Sequence, residues 1–268
     1  MRIMIKYPIV LALIFIFGCN FEPPTKNKSD KKTTPIAVAP PADYESEEVF
    51  LQTAVKASGV AIVIKNNEFK TLCSVFVLDK VEDKYRFITT AHCVQDYGEE
   101  AEVDLSEYQF SIRTEAENNE INYVSARALV IGDKKELRDI LILEGESAAA
   151  LPTLSLSQIG PELGEEVYLI TMRQFELGAQ VFQGYVSRKA VSQDVIIGAG
   201  TLNLKGVMTL HIPALGIGQG ASGSAVISRK THKVIGIFFA SSEYGNRDHI
   251  THLVIPVEKI NSFYNQVK

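Results

Sequence analysis

Val60-Ala-Ile-Val-Ile64, Ser74-Val-Phe-Val-Leu78 and Tyr85-Arg-Phe-Ile-Thr89 are short apolar runs set close together, the first two separated by Asn66-Asn67. Each is rich in β-branched and aromatic residues and too short for a helix that buries one face, so each reads as a strand. The same pattern continues outward through Tyr123 to Val130 and Ile140-Leu-Ile-Leu143. A second series follows: Glu166-Val-Tyr-Leu-Ile170, Gln180 to Val186, Val195-Ile-Ile197, Val207 to Ile212, Ser224-Ala-Val-Ile227, Lys233 to Phe239 and Thr251 to Ile255. Gly132-Asp133, Gly160-Pro161 and Gly245-Asn246 supply turn signals between runs. Many short strands without alternating helices point to an all-β barrel or sandwich and exclude a parallel α/β sheet. One helical pattern stands at the end, where Pro256 precedes Val257, Ile260, Phe263 and Tyr264 at helical spacing.

At 268 residues, 46% hydrophobic and 22% charged, the chain can bury a sizeable core, and one domain of two packed halves fits. A net charge of −5 gives no basic face, so nucleic acid is not an expected partner. Met1 to Lys6 carries two positive charges, and Tyr7 to Phe17 is an uncharged apolar run. That run is shorter than a bilayer-crossing helix and reads as a secretory signal over residues 1–18. It ends in Ile16-Phe17-Gly18-Cys19, which resembles a bacterial lipobox and implies lipidation of Cys19; an ordinary cysteine beside a conventional cleavage site is the alternative. Asn20 in place of Asp implies forwarding to the outer membrane, where the lipid would anchor the protein in the cell envelope. Residues 19–47, rich in Pro, Lys, Thr and Ser, read as a solvated linker, and the folded domain is expected over 48–268. Removing residues 1–18 deletes Arg2 and Lys6 and no acid, which moves the charge to about −7. With Cys19 lipidated, Cys73 and Cys93 remain as a pair in an oxidising compartment, where a disulfide is expected over two free thiols or a zinc site.

Acyl transfer to a serine needs a hydroxyl, a base that accepts its proton near neutral pH, and a buried carboxylate that fixes the base's tautomer. Thr89-Thr-Ala-His92-Cys93 follows an apolar strand, Arg138-Asp139 opens another, and Gly218-Gln-Gly-Ala-Ser222-Gly-Ser-Ala-Val226 forms a small-residue turn before a third. Singly, each has a plain structural reading: a histidine capping a turn, a solvent-facing acid, a glycine-rich β-turn. Four aliphatic residues after Asp139 indicate a strand buried on both faces, which carries that carboxylate inward and obliges it to find a partner. Gly220, without a Cβ, can adopt the conformation that aims its N–H and that of Ser222 at a common oxyanion position.

In this chain order the three segments resemble the T-A-A-H-C, D-I-A-L and G-x-S-G stretches of the trypsin/chymotrypsin superfamily. The resemblance implies two six-stranded antiparallel β-barrels over about 48–150 and 151–256, closed by a C-terminal helix at 257–268. It implies a triad of His92, Asp139 and Ser222, an oxyanion hole at Gly220, a Cys73–Cys93 bridge flanking the histidine, and a serine endopeptidase acting on protein or peptide substrates without a cofactor. The ending with Ser224 is nearer to glutamyl endopeptidases and the bacterial branch. Gly164-Glu-Glu-Val-Tyr and Gln183-Gly-Tyr-Val-Ser look like stretches of HtrA/Deg-type proteases, whose PDZ module is not expected here. Ala221 stands where digestive enzymes carry the acid of their zymogen switch. An α/β-hydrolase is disfavoured, since its elbow is G-x-S-x-G and its histidine comes last. A catalytically silent protease scaffold binding an envelope partner remains the alternative.

Two further expectations concern specificity and metals. Gly216, followed by Ile217, occupies the place of the acid in trypsin-like pockets, and Ile237-Phe-Phe239-Ala240 replaces the G-I-H-W-G pattern of glutamyl endopeptidases. Neither a basic nor an acidic substrate side chain then has a visible partner, so small to medium apolar residues are expected. Among the other histidines, His211, His232, His249 and His252, the H-x-x-H of the last pair lacks a third ligand and a metal-site spacing. If Cys19 carries the anchor, cells fed labelled palmitate will incorporate it into the wild-type protein, and Cys19→Ser will lose both label and membrane fraction; label retained in the variant would contradict the assignment.

Overall fold

Period-two alternation within β1 (Ser58–Lys65), β2 (Glu68–Val81), β3 (Lys84–Thr89), β4 (Tyr108–Glu115), β5 (Ile121–Ile131) and β6 (Leu141–Glu146) closes them into one antiparallel barrel, ordered β1-β2-β3-β6-β5-β4. A second closed barrel, ordered β10-β11-β12-β9-β8-β7, is built from β7 (Glu166–Met172), β8 (Ala179–Ile197), β9 (Gly200–His211), β10 (Ala225–Ser228), β11 (Val234–Glu243) and β12 (Ile250–Pro256). This computed structural model describes residues 46–94, 103–115, 120–132, 139–172, 178–197, 200–213, 217, 220–243 and 250–266. Cys19, the leader and nearly all of the linker lie outside them, as do Gly216 and His249.

The strands facing the middle of the molecule are apolar on both sides because each serves two cores. Val75, Val77, Phe87, Leu141 and Leu143 point into the first barrel, whereas Phe76, Leu78, Ile88, Ile140 and Ile142 point out of it. The outward set meets Tyr168, Ile170, Ala225, Ile227, Ile237 and Ile255 from the second barrel in a shared core. The second barrel's own interior holds Val167, Leu169, Val226, Phe238 and Val254. The expectation that the run after Asp139 is buried on both faces is met, since Ile140 to Leu143 are all 0% exposed.

Three elements differ from the sequence reading. β4 was not visible as an apolar run, because Gln109, Ser111 and Arg113 face outward between inward Phe110, Ile112 and Thr114. Val195 to Ile197 is not a separate strand but the end of β8, which stays paired with β9 through register shifts between Val186 and Gln193, with Ala190 at φ +50°. A helix absent from that reading, α1 (Glu47–Lys56), precedes the first strand.

Ser46 caps α1 by accepting from the Val49 N–H, and Glu47, Glu48 and Lys56 suit the helix dipole. Its only two fully buried side chains, Phe50 and Ala54, are four residues apart and enter the core shared by the barrels. Phe50 also stacks on His232 at 4.0 Å, and Glu47 accepts from the Arg229 Nε at 2.6 Å and from the Tyr168 hydroxyl. The hydrogen bond from Arg229 is the main cause holding the Glu47 carboxyl below its ordinary range. The C-terminal helix α2 (Val257–Tyr264) buries Val257, Ile260, Phe263 and Tyr264, the residues its spacing predicts. Arg86 Nη1 donates to the Tyr264 hydroxyl at 2.9 Å, and that hydroxyl donates to Asp79, tying α2 to the first barrel. Burial, and then the Asp79 bond, push the Tyr264 hydroxyl up to about 12.

Both helices therefore work as straps across the seam. Phe50→Ala should lower unfolding free energy by roughly 3–5 kcal/mol in urea titrations, whereas Val49→Ala on the exposed side of α1 should change it by under about 0.5 kcal/mol. Equal losses for the two would show that α1 does not hold the shared core.

Candidate active site

β3 delivers His92 into a 3-10 turn, Ala91–Cys93, whose leading Thr90 provides no side-chain cap. The cap comes from Asp139, immediately ahead of β6: its Oδ1 accepts the His92 backbone N–H at 2.8 Å, and its Oδ2 lies 2.7 Å from His92 Nδ1. Because β3 and β6 pair with Thr89 opposite Leu141, the two loop ends must meet at the barrel rim. Asp139 is only 2% exposed, and His92 supplies two of the hydrogen bonds that a buried carboxylate requires. With Nδ1–H turned to the carboxylate, Nε2 is left as the basic nitrogen. The bridge between Cys73 on β2 and Cys93 is formed as expected and fastens the far side of the His92 turn.

Ser222 lies on the turn into β10, between Gly220 at φ +90° and Gly223 at φ +91°, a region that side-chain-bearing residues rarely adopt. Space matters as much as torsion at Gly223, where an added Cβ would stand 2.0 Å from the Ser74 carbonyl oxygen and 2.3 Å from Thr89 Oγ1. The Ser222 turn is thus pressed against β2 and the end of β3, three residues ahead of His92. Ser74 joins the two barrels: its N–H and Oγ–H both donate to the Gly220 carbonyl, at 2.9 and 2.8 Å, and its Oγ accepts from the Met172 N–H at 3.1 Å. Thr89 Oγ1 donates to the Ser74 carbonyl at 2.7 Å. These bonds orient the Gly220 peptide and hence the N–H expected at the oxyanion position.

The register of β11 against β12 shifts between Phe238 and Ala240, so Phe239 stands out of the ladder with its carbonyl redirected. That carbonyl accepts the Ser222 Oγ–H at 3.2 Å. The fold so brings His92 and Asp139 into direct contact and sets the Ser222 turn against the strand that carries His92.

A family model described as trypsin-like peptidase domain matches residues 73–237, the span that runs from Cys73 through His92, Asp139 and Ser222. The chain belongs to the trypsin-like peptidase family. Among solved structures, the serine endoprotease from Yersinia pestis is similar in fold, with a TM-score of 0.58 at 19% identity over 84% of this chain and 67% of that one. Deg5 gives the same TM-score at 15% identity, covering 82% of this chain and 94% of its own. No curated protein sequence matches.

Three residues near the peptidase site had no signal in the sequence. Ser74 and Thr89 look like ordinary strand residues, and only the meeting of the barrels gives them their roles. His252, set aside above as half of an H-x-x-H, is 1% exposed on β12, with Nδ1 3.0 Å from Ser241 Oγ. Burial pulls its imidazole down from 6.5 to about 4, an effect that His211 reinforces and the Ile212 backbone only partly offsets. Among the described residues no group of three potential ligands could hold a metal.

Two outcomes follow. Gly223→Ala should lose about 3 kcal/mol or more of stability and its activity with it, while Ala221→Gly should be far milder; a Gly223→Ala protein with wild-type melting would contradict the close approach. Since the folded pKa of His252 lies below its unfolded value, its contribution is full above about pH 6.5 and is lost as pH falls toward about 4. Urea midpoints should decline over that window, and less steeply in His252→Leu.

Proposed function

We propose that this trypsin-like peptidase is an active serine endopeptidase that cleaves peptide bonds through His92, Asp139 and Ser222, exported and held at the cell envelope by a lipid on Cys19. The observation that carries the reading is the His92–Asp139 contact: a buried carboxylate occupying both the backbone N–H and Nδ1 of one histidine, in a fold that turns a serine toward the same seam.

Catalysis begins when Ser222 leaves the Phe239 carbonyl by rotation about χ1, a move between staggered rotamers. His92 Nε2 takes the hydroxyl proton as Oγ attacks the substrate carbonyl carbon, and Asp139 stabilises the imidazolium without itself becoming protonated. Negative charge grows on the carbonyl oxygen, where the N–H groups of Gly220 and Ser222 receive it. His92 then passes its proton to the leaving amine, and water repeats the sequence on the acyl-enzyme. A resting hydroxyl bonded to Phe239 is also what a silent scaffold would show, so chemistry must separate the two readings.

A fluorophosphonate probe followed by peptide mapping should label Ser222, and Ser222→Ala should abolish the label. Asp139→Asn should keep the fold and lower kcat by about 10⁴-fold, because the imidazole then presents the wrong tautomer. Labelling elsewhere, or no labelling of folded protein, would leave a protease-fold binding protein.

A further inference from the structure

The two glycines of the Ser222 turn are fixed by different means. At Gly223 the Ser74 carbonyl oxygen is 2.0 Å from where a Cβ would stand, and the Gly223 N–H donates to the Phe238 carbonyl at 2.9 Å. The Ser224 N–H closes the same end on the Ala221 carbonyl at 3.1 Å. Gly220 has no steric support of this kind: among the described residues nothing lies within 4 Å of where its Cβ would be, although its φ is +90°. Ala221, 0% exposed, brings no charged or hydrogen-bonding side chain to that end of the turn. Among the described residues, the hydrogen bonds to the Gly220 carbonyl come from Ser74, one from its N–H at 2.9 Å and one from its Oγ–H at 2.8 Å. Packing thus sets the Gly223 end of the turn, and hydrogen bonding from the first barrel sets the Gly220 end.

Ser74 is 1% exposed, and its hydroxyl is used to capacity. A serine hydroxyl has one proton and two lone pairs. The proton goes to the Gly220 carbonyl, so the Met172 N–H at 3.1 Å and the Thr171 hydroxyl at 3.3 Å both donate to the oxygen. Thr171 and Met172 end β7 of the second barrel, while Thr89 at the end of β3 holds Ser74 from the other side by donating to its carbonyl at 2.7 Å. Donors that feed the Ser74 oxygen polarise, and so strengthen, the bond it gives to Gly220. We propose that Ser74 is a positioning residue of this peptidase, its hydroxyl holding Gly220 in the conformation that aims the Gly220 N–H at the oxyanion. The inference rests on the reading of Ser222 as nucleophile. A glycine released from its partners takes negative φ about as readily as positive, and leaving φ +90° turns the Gly220 N–H away from the line of the Ser222 N–H. One hydrogen bond, from the Ser74 N–H, lets the Gly220–Ala221 peptide pivot about the bond axis; the second, from Oγ, blocks that pivot. Ser74 acts through Gly220 without touching substrate. Its loss therefore costs stabilisation of the tetrahedral oxygen and leaves ground-state binding alone.

The test compares Ser74→Ala with Ser157→Ala, which removes a different buried hydroxyl, one that donates to the Ile159 carbonyl at 2.7 Å away from the site. On a fluorogenic peptide cleaved by full-length protein, kcat should fall about tenfold or more in Ser74→Ala with KM unchanged, while Ser157→Ala keeps both. A peptidyl trifluoromethyl ketone labelled with ¹³C at its carbonyl reads the oxyanion position directly. Ser222 Oγ adds to that carbon, the hydroxyl proton passes to His92 Nε2, and ¹³C NMR titrates the hemiketal oxygen so formed. The hemiketal pKa should rise by about one unit in Ser74→Ala, the counterpart of a tenfold loss, and stay in place in Ser157→Ala. If Ser74→Ala does not fold, Thr171→Val withdraws one donor from the same oxygen and should lower kcat about twofold, again with KM unchanged and the hemiketal pKa raised. A loss confined to KM, or an unchanged hemiketal pKa in the folded variant, would overturn the role of Ser74 while leaving the endopeptidase reading intact. A folded wild type that neither cleaves peptides nor adds to the ketone would sink that reading, and the positioning role with it.

Discussion

The close approach of Gly223 to β2 is the constraint on which the rest of the molecule depends. No side chain fits between that Cα and the Ser74 carbonyl, so the Ser222 turn of one barrel lies flush against the other. Ser74 completes the join by giving two hydrogen bonds to the Gly220 carbonyl and accepting one from Met172. A site assembled from two barrels is only as well defined as their seam, and here the seam is set by backbone contacts that tolerate little displacement. The flanking elements reinforce it, with α1 and α2 inserting Phe50, Ile260 and Phe263 into the shared core and the Cys73–Cys93 bridge holding the histidine turn to β2.

Burial and charge divide the work at the site. Asp139 is inside the protein and is satisfied by two bonds from His92, so its negative charge has a fixed recipient and the ring a fixed tautomer. Ser222 is reached by solvent, and the bulge at Phe239 gives its hydroxyl a resting partner outside the ladder. His252 is the opposite case, a polar ring almost wholly buried, with Ser241 Oγ 3.0 Å from its Nδ1.

Much of the fold was legible because strands that serve two cores are apolar at consecutive positions, as in Ile140 to Leu143, and such runs stand out from turns. β4 was hidden by the opposite circumstance, one buried face and three polar outward residues. α1 was hidden because only Phe50 and Ala54 are buried, too few to show a helical period. His92, Asp139 and Ser222 were legible through local context: an apolar strand before the histidine, one after the acid, glycines around the serine. Ser74 and Thr89 were not, since their roles come from strand register and barrel contact, which no local stretch encodes.

The central claim is that His92 and Ser222, carried by different barrels, act as one chemical unit. Measuring kcat for His92→Ala, Ser222→Ala and the double variant tests it most directly. Acting together, the residues should give a double variant no slower than either single one. Losses that multiply, so that the double variant falls by the product of the two single effects, would contradict the account.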